Sequence, residues 1–244
     1  TAFSQQQLSN RNIVSAGDIA IYTPSLSTNS RFGSEKTSFT IRGFNQDPAT
    51  APSVGVYFAD APAPRVTSST AAGNGSGPGA FFDLQNLQVL KGPQGTLFGR
   101  NTSGGAVLIV PQRPTDKFEG YVEATAGSHD LRRVQVVLNT PISDTLRVRM
   151  GVDRNKREGF MKNMSGIGPS HFNDIDYLAG RISIIADITP DLENYTVASY
   201  SKSKTNGSLP RVFACNRDQA ATAPLVQLQC DQVDRANQRG FYTG

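Results

Sequence analysis

The strongest constraint on what this chain can become is a two-residue alternation running through its second half. Leu146, Val148, Met150 and Val152 fall on one side of an extended segment, and Arg147, Arg149, Gly151 and Asp153 on the other. Successive side chains of a β-strand point to opposite faces, so this segment has one apolar face and one charged face. Residues 178–188 repeat the pattern, with Leu178, Gly180, Ile182, Ile184, Ala186 and Ile188 set against Ala179, Arg181, Ser183, Ile185 and Asp187. Arg132, Val134, Val136 and Leu138 follow it more loosely, and residues 119–127 and 193–202 complete five expected strands. The period fits two architectures equally well: a secreted, soluble β-sandwich serving as a binding or adhesion module, and a transmembrane barrel whose apolar face meets lipid.

The connections carry a second signal. Links at 140–144 and 189–193 are tight, whereas 154–176 and the stretch after 203 are long and polar, as at the two ends of a transmembrane barrel. The short link at 127–130 departs from that rule. The longest apolar run is only 106–110, too short for a membrane-spanning helix, so contact with a bilayer would be through strands or at its surface.

The first half reads differently. Ser4 and Gln7 have the spacing of a capping box, with Phe3 and Leu8 placed as a hydrophobic staple, so a short helix is expected from Gln5. Ser15 and Asp18 repeat the signal, and Pro24 ends the second helix within two turns. Short extended pieces at 38–42, 54–58, 87–91 and 106–110 follow, separated by glycine-rich turns. The expected organisation is an α+β domain over residues 1–115 and a strand domain over 116–244, with Pro111 and Pro114 flanking the change.

Composition removes several functions. The 24 basic and 20 acidic residues are interspersed, without a basic stripe or stacking aromatics, so nucleic acid is not an expected partner. His129 and His171 have no nearby nucleophile and acid, which argues against an enzyme, and no ligand spacing calls for a metal or cofactor. Cys215 and Cys230 lie in a polar stretch and are a disulfide candidate, two free thiols being the other reading.

Three ordered motifs narrow the choice: Ile41-Arg42-Gly43, then 54–60, then 91–105 with Gly92, Pro93, Gly95, Gly99, Gly104 and Gly105. Together with the run 82–163 they closely resemble the TonB-dependent outer-membrane receptors, a likeness strongest over 38–163 and weakest after Lys204. The resemblance implies a plug domain followed by the first strands of a transmembrane β-barrel, which closes with 22 strands in the complete fold. It further implies localisation in the bacterial outer membrane in contact with its lipid. The implied activity is energised uptake of a scarce nutrient, most often a ferric siderophore, through TonB acting on a segment upstream of Thr1. Five strands leave two unpaired edges, which hydrocarbon does not tolerate, so a partial chain is expected. In the family two plug arginines pair with barrel carboxylates; they map here to Arg42 and Lys91, the second a departure from arginine that exchanges a fork for a point charge. Arg65, Asn74 and Arg211, in apical or outer loops, are the candidate ligand contacts, and a flexible linker is the alternative for 65–80.

Overall fold

The computed structural model describes residues 1–29, 37–45, 50–63, 66–67, 72–73, 81–164, 166–208, 212, 214–220 and 223–239. Its first half contains β1 (Ala2–Ser4), α1 (Gln5–Asn10), α2 (Ala16–Ile21), β2 (Leu26–Asn29), β3 (Ser38–Ile41), β4 (Val54–Phe58), β5 (Ala61–Pro62), β6 (Val66–Thr67), β7 (Ala72–Gly73), β8 (Leu84–Lys91), α3 (Gly95–Phe98) and β9 (Gly105–Pro111). The second half contains β10 (Glu119–Gly127), β11 (Leu131–Ser143), β12 (Leu146–Arg157), β13 (Met161–Lys162), β14 (His171–Phe172), β15 (Ile175–Thr189), β16 (Leu192–Ser203), α4 (Arg217–Ala220) and α5 (Pro224–Arg239).

The plug is built on a mixed sheet in the order β1-β8-β9-β4-β5, in which only β4 and β9 run parallel. The local signals act as their chemistry dictates. Ser4 Oγ accepts the Gln7 N–H at 3.3 Å and Gln7 Oε1 accepts the Ser4 N–H at 3.0 Å, which starts α1. Asp18 Oδ2 reaches back to the N–H groups of Val14 and Ser15, which starts α2. The inward faces of these helices, Leu8 and Ile19, join Phe3, Phe39, Val56, Leu87, Val89 and Ile109 in one core of fully buried side chains. Gln5 Oε1 accepts the Leu84 N–H at 2.7 Å, fastening α1 to the start of β8.

Gly105 is where the motif glycines meet their tightest demand. Its φ is +151°, and a Cβ there would lie 2.3 Å from Leu90 O and 2.7 Å from Ile41 Cδ1, so backbone closes on backbone. Gly105→Ala is expected to destabilise the plug by about 1–3 kcal/mol, seen as faster proteolysis of the plug in isolated outer membranes while the strand domain stays resistant.

β10, β11, β12, β15 and β16 form an antiparallel meander in that order, with β10 and β16 at its edges. Two-residue turns join β11 to β12 and β15 to β16, whereas 158–174 carries the small β13–β14 hairpin. The strands exceed the sequence expectation at the long-loop end, where β12 runs on to Arg157 and β15 begins at Ile175. Two helices, α4 and α5, form in the stretch after 203, where the sequence reading placed only polar loop.

The decisive feature is which face is covered. Arg133, Gln135, Asn139, Arg149, Asp153, Asn155 and Arg181 are at most 8% exposed, while Val134, Val136, Leu138, Met150, Val152, Leu178 and Ile182 are 37–47% exposed. A soluble sandwich does the reverse, because burying apolar area is its driving force. This sheet buries its charged face against the plug and turns its apolar face outward, as a lipid-facing wall must. The β-sandwich alternative is thereby overturned.

Candidate functional site

The site is the seam between plug and wall, and its centre is Phe82-Asp83, immediately before β8. Asp83 is 4% exposed and sits at φ +52°, a conformation that points its carboxylate at the wall. On β12, Arg149 forks onto it, Nε donating to Oδ2 at 2.8 Å and Nη2 to Oδ1 at 2.5 Å. From β15, Arg181 Nη2 donates to the carbonyls of both Phe82 and Asp83 at 2.6 Å and lies 3.7 Å from Asp83 Oδ2. One plug carboxylate is thus clasped by two wall arginines, a bidentate arrangement strengthened by the dry surroundings.

Phe82 seats the same segment sterically. Its ring lies where a side chain at residue 151 would stand, a Gly151 Cβ being 2.8 Å from Phe82 Cε2, and Val137, Tyr177 and Ala179 close the pocket around it. The Arg181 guanidinium covers the ring at 4.7 Å from its centroid. Alongside, Arg133 forks onto Asp153 at 2.9 and 2.8 Å, and Tyr177 Oη donates to the same carboxylate at 2.9 Å. These three belong to the wall and give its polar face a fixed shape.

The strap from plug to wall is held separately. Asn139, fully buried, accepts the Thr115 N–H at 3.0 Å and donates to the carbonyls of Thr115 and Lys117 at 2.9 and 2.6 Å. Arg147 pairs with both Asp116 and Asp187, and Arg113 pairs with Glu193 and covers Tyr195.

The residues singled out from sequence lie elsewhere in the plug. β3 ends at Ile41, one residue short of the extended piece expected over 38–42, and Arg42 turns to φ +51° and is exposed. Its guanidinium lies 3.7 Å from the Cβ position at Gly92, while Lys91 Nζ donates to Pro24 O. Neither cation has a carboxylate partner among the described residues. Gly43, Gly92 and Gly99 each adopt positive φ. Pro93 and Gly95 are exposed in the loop that carries α3, which closes on itself through Gly92 N–H to Gly104 O at 3.0 Å and Gln94 N–H to Thr102 O at 2.9 Å. Arg65, Asn74 and Arg211 lie outside the described residues. Cys215 and Cys230 are joined by a disulfide that ties the approach to α4 to the middle of α5. Beside it, the Arg217 guanidinium hydrogen-bonded to Asp234 holds that carboxyl below its ordinary pKa.

Sequence reasoning missed Asp83, Arg149 and Arg181. A faint signal existed: Gly151 stands on one strand face between Arg149 and Asp153, and a glycine among charged side chains leaves room for an incoming side chain.

A plug clasped to the polar side of a sheet whose other side is apolar defines a plugged outer-membrane barrel wall. Residues 1–106 match the family model described as TonB-dependent receptor plug domain, so this part of the chain is a plug of the TonB-dependent receptor family. It is 42% identical over 67 residues to the pesticin receptor of Yersinia pestis, covering 28% of this chain and 10% of that protein. With the ferripyoverdine receptor of Pseudomonas aeruginosa it shares 27% identity over 156 residues, covering 61% of this chain and 17% of that protein. The crystal structure of the ferric yersiniabactin uptake receptor from Yersinia pestis superposes with a TM-score of 0.69 at 25% identity, over 85% of this chain and 32% of that one. The chain thus spans under a quarter of the length of these two curated relatives.

Proposed function

We propose that this chain is the plug and first wall of a receptor that takes a ferric siderophore complex across the outer membrane, with energy delivered through TonB. The observation that carries the reading is the inverted sheet with a plug carboxylate clasped by its arginines. Such a wall belongs in lipid around a filled lumen, and a filled lumen conducts only when the plug is moved. The similar proteins named for ferripyoverdine and ferric yersiniabactin supply the ligand class. In this reading the plug ends near residue 115 and the barrel begins near 116, with the Asn139 bonds spanning the join.

The geometry suggests how a pull would act. β1 lies at the edge of the plug sheet, hydrogen-bonded antiparallel to β8, and Thr1 O accepts the Val89 N–H at 2.7 Å. Tension applied by TonB ahead of Thr1 would load β8, whose first residue follows Asp83 directly. Arg42 and Lys91 would form a second clasp with carboxylates on a part of the wall beyond β16. Arg65, Asn74 and Arg211 would contribute to the ligand site at the outer face. No covalent step is required.

The test is uptake of a labelled ferric siderophore by cells producing the receptor, with and without TonB. Saturable accumulation in the first strain and surface binding without accumulation in the second are the expected results. Equal accumulation in both would overturn the energised mechanism.

A further inference from the structure

The register of the wall sorts its outward-facing residues into level rows. Leu138, Met150, Ile182 and Ala198 are successive cross-strand partners, and so are Val136, Val152, Gly180 and Tyr200. The next row toward the long-loop end is Val134, Arg154, Leu178 and Lys202, and the one beyond it Arg132, Lys156 and Asp176. The apolar band therefore stops within one pleat, about 7 Å, of a cationic margin. Asp130 pairs with Arg132 at 2.7 Å and Asp176 with Arg154 at 2.7 Å. Lys156 and Lys202 are exposed and have no carboxylate partner among the described residues, so the margin carries excess positive charge.

Immediately below that margin the band is indented. A groove of about 550 Å³ is lined by Val136, Leu138, Met150, Val152, Ile182 and Tyr200, with Gly180 leaving a gap in β15. A Cβ at Gly180 would meet only Gly151 O, at 3.8 Å, so the gap is open on the outer side. The groove lies across β11, β12, β15 and β16, and both of its flanks belong to this chain.

We propose that groove and margin together form a binding site for one lipid with a phosphorylated, anionic headgroup, in the leaflet on the long-loop side of the membrane. One acyl chain lies in the groove over Gly180, and the headgroup phosphate is held between Arg154, Lys156 and Lys202. Charge complementarity selects this occupant: a second copy of the same face would set Lys156 and Lys202 against like charges, and a neutral lipid would leave them unpaired. The groove shares Gly151 and Arg181 with the plug seam but takes its apolar lining from the opposite face of the sheet, so loss of the lipid would leave the transport reading untouched.

The test is the phosphorus content and native mass spectrum of the receptor purified from outer membranes in mild detergent. The wild type is expected to retain a phosphorylated lipid. The Lys156→Glu/Lys202→Glu variant should retain at least about thirtyfold less, given roughly 1 kcal/mol for each of the two basic residues near an anionic surface. Gly180→Leu, which fills the groove without touching the cations, should also lose it. Heat-modifiable electrophoretic mobility checks that each variant has folded, and only folded variants are scored. Stripped wild type should reload from vesicles containing anionic phospholipid and not from wholly zwitterionic ones, and millimolar inorganic phosphate should not displace the lipid. Equal retention in all three proteins would overturn the proposal. So would loss in the charge variant alone with displacement by free phosphate, which marks a simple anion site, or loss in the glycine variant alone, which marks an apolar groove without headgroup selection.

Discussion

An Asp83→Ala receptor is expected to hold its plug about 3–5 kcal/mol less tightly, because the change takes the shared carboxylate from two buried arginines and leaves Arg149 only the half-exposed Glu119, at 3.4 Å. Arg149 loses both bonds of its fork, and Arg181 keeps only the backbone carbonyls of residues 82 and 83. Neither guanidinium can reach water without the plug moving away from the wall. The measurement is the rate at which a thiol reagent labels a cysteine introduced at Ala179, a buried position on the wall beside the Phe82 pocket. A large increase over the same cysteine in an otherwise wild-type receptor is expected. The companion Asp83→Leu/Arg149→Met/Arg181→Met should recover much of the loss, since a buried ionic cluster exchanged whole for apolar groups often costs little. Unchanged labelling in Asp83→Ala would mean that the clasp does not hold the plug.

Phe82→Ala should be of similar size, about 3–5 kcal/mol for emptying a closed aromatic pocket. The ring is 1% exposed, and its pocket is defined by the side chain that Gly151 lacks. That relation makes the prediction specific. Gly151→Leu in the wild type should expel Phe82 and open the seam, whereas in the Phe82→Ala background the new leucine should fill the vacated space and tighten it. Opposite signs in the two backgrounds are the expected outcome of a double-mutant cycle. Equal, additive losses would show that ring and glycine do not meet. Thermal melting of the plug in nanodiscs, monitored by protease sensitivity, gives both numbers.

The local layer of the molecule was legible in its residues. The Ser4 and Gln7 spacing gave a capping box because both bonds lie within one turn, and Phe3 and Leu8 are buried together as a staple should be. The alternation around Leu146 to Asp153 gave a two-faced strand because side-chain direction depends only on the backbone. The helix α5 carries a weaker signal than the strands. Pro224 opens it, and Val226, Cys230 and Val233 fall at helical spacing, the last two of them buried. A disulfide-forming cysteine in a Gln- and Asp-rich segment has the composition of a loop, and only the helical period of its few apolar residues tells the two apart.

What the sequence by itself determined, then, was the set of local elements, the two-faced character of the wall, and the glycine motifs that place the chain in its family. Tertiary structure decided which face of the wall is inside. Alternation is symmetric between the two choices, and only the plug's arrival on the charged side breaks that symmetry. It also decided the clasp. Asp83 meets Arg149 and Arg181 across separations of 66 and 98 residues. No local rule links those positions: an aspartate after two phenylalanines and an arginine on a strand are each ordinary until folding brings them to one dry seam, where the pairing of opposite charges becomes strong.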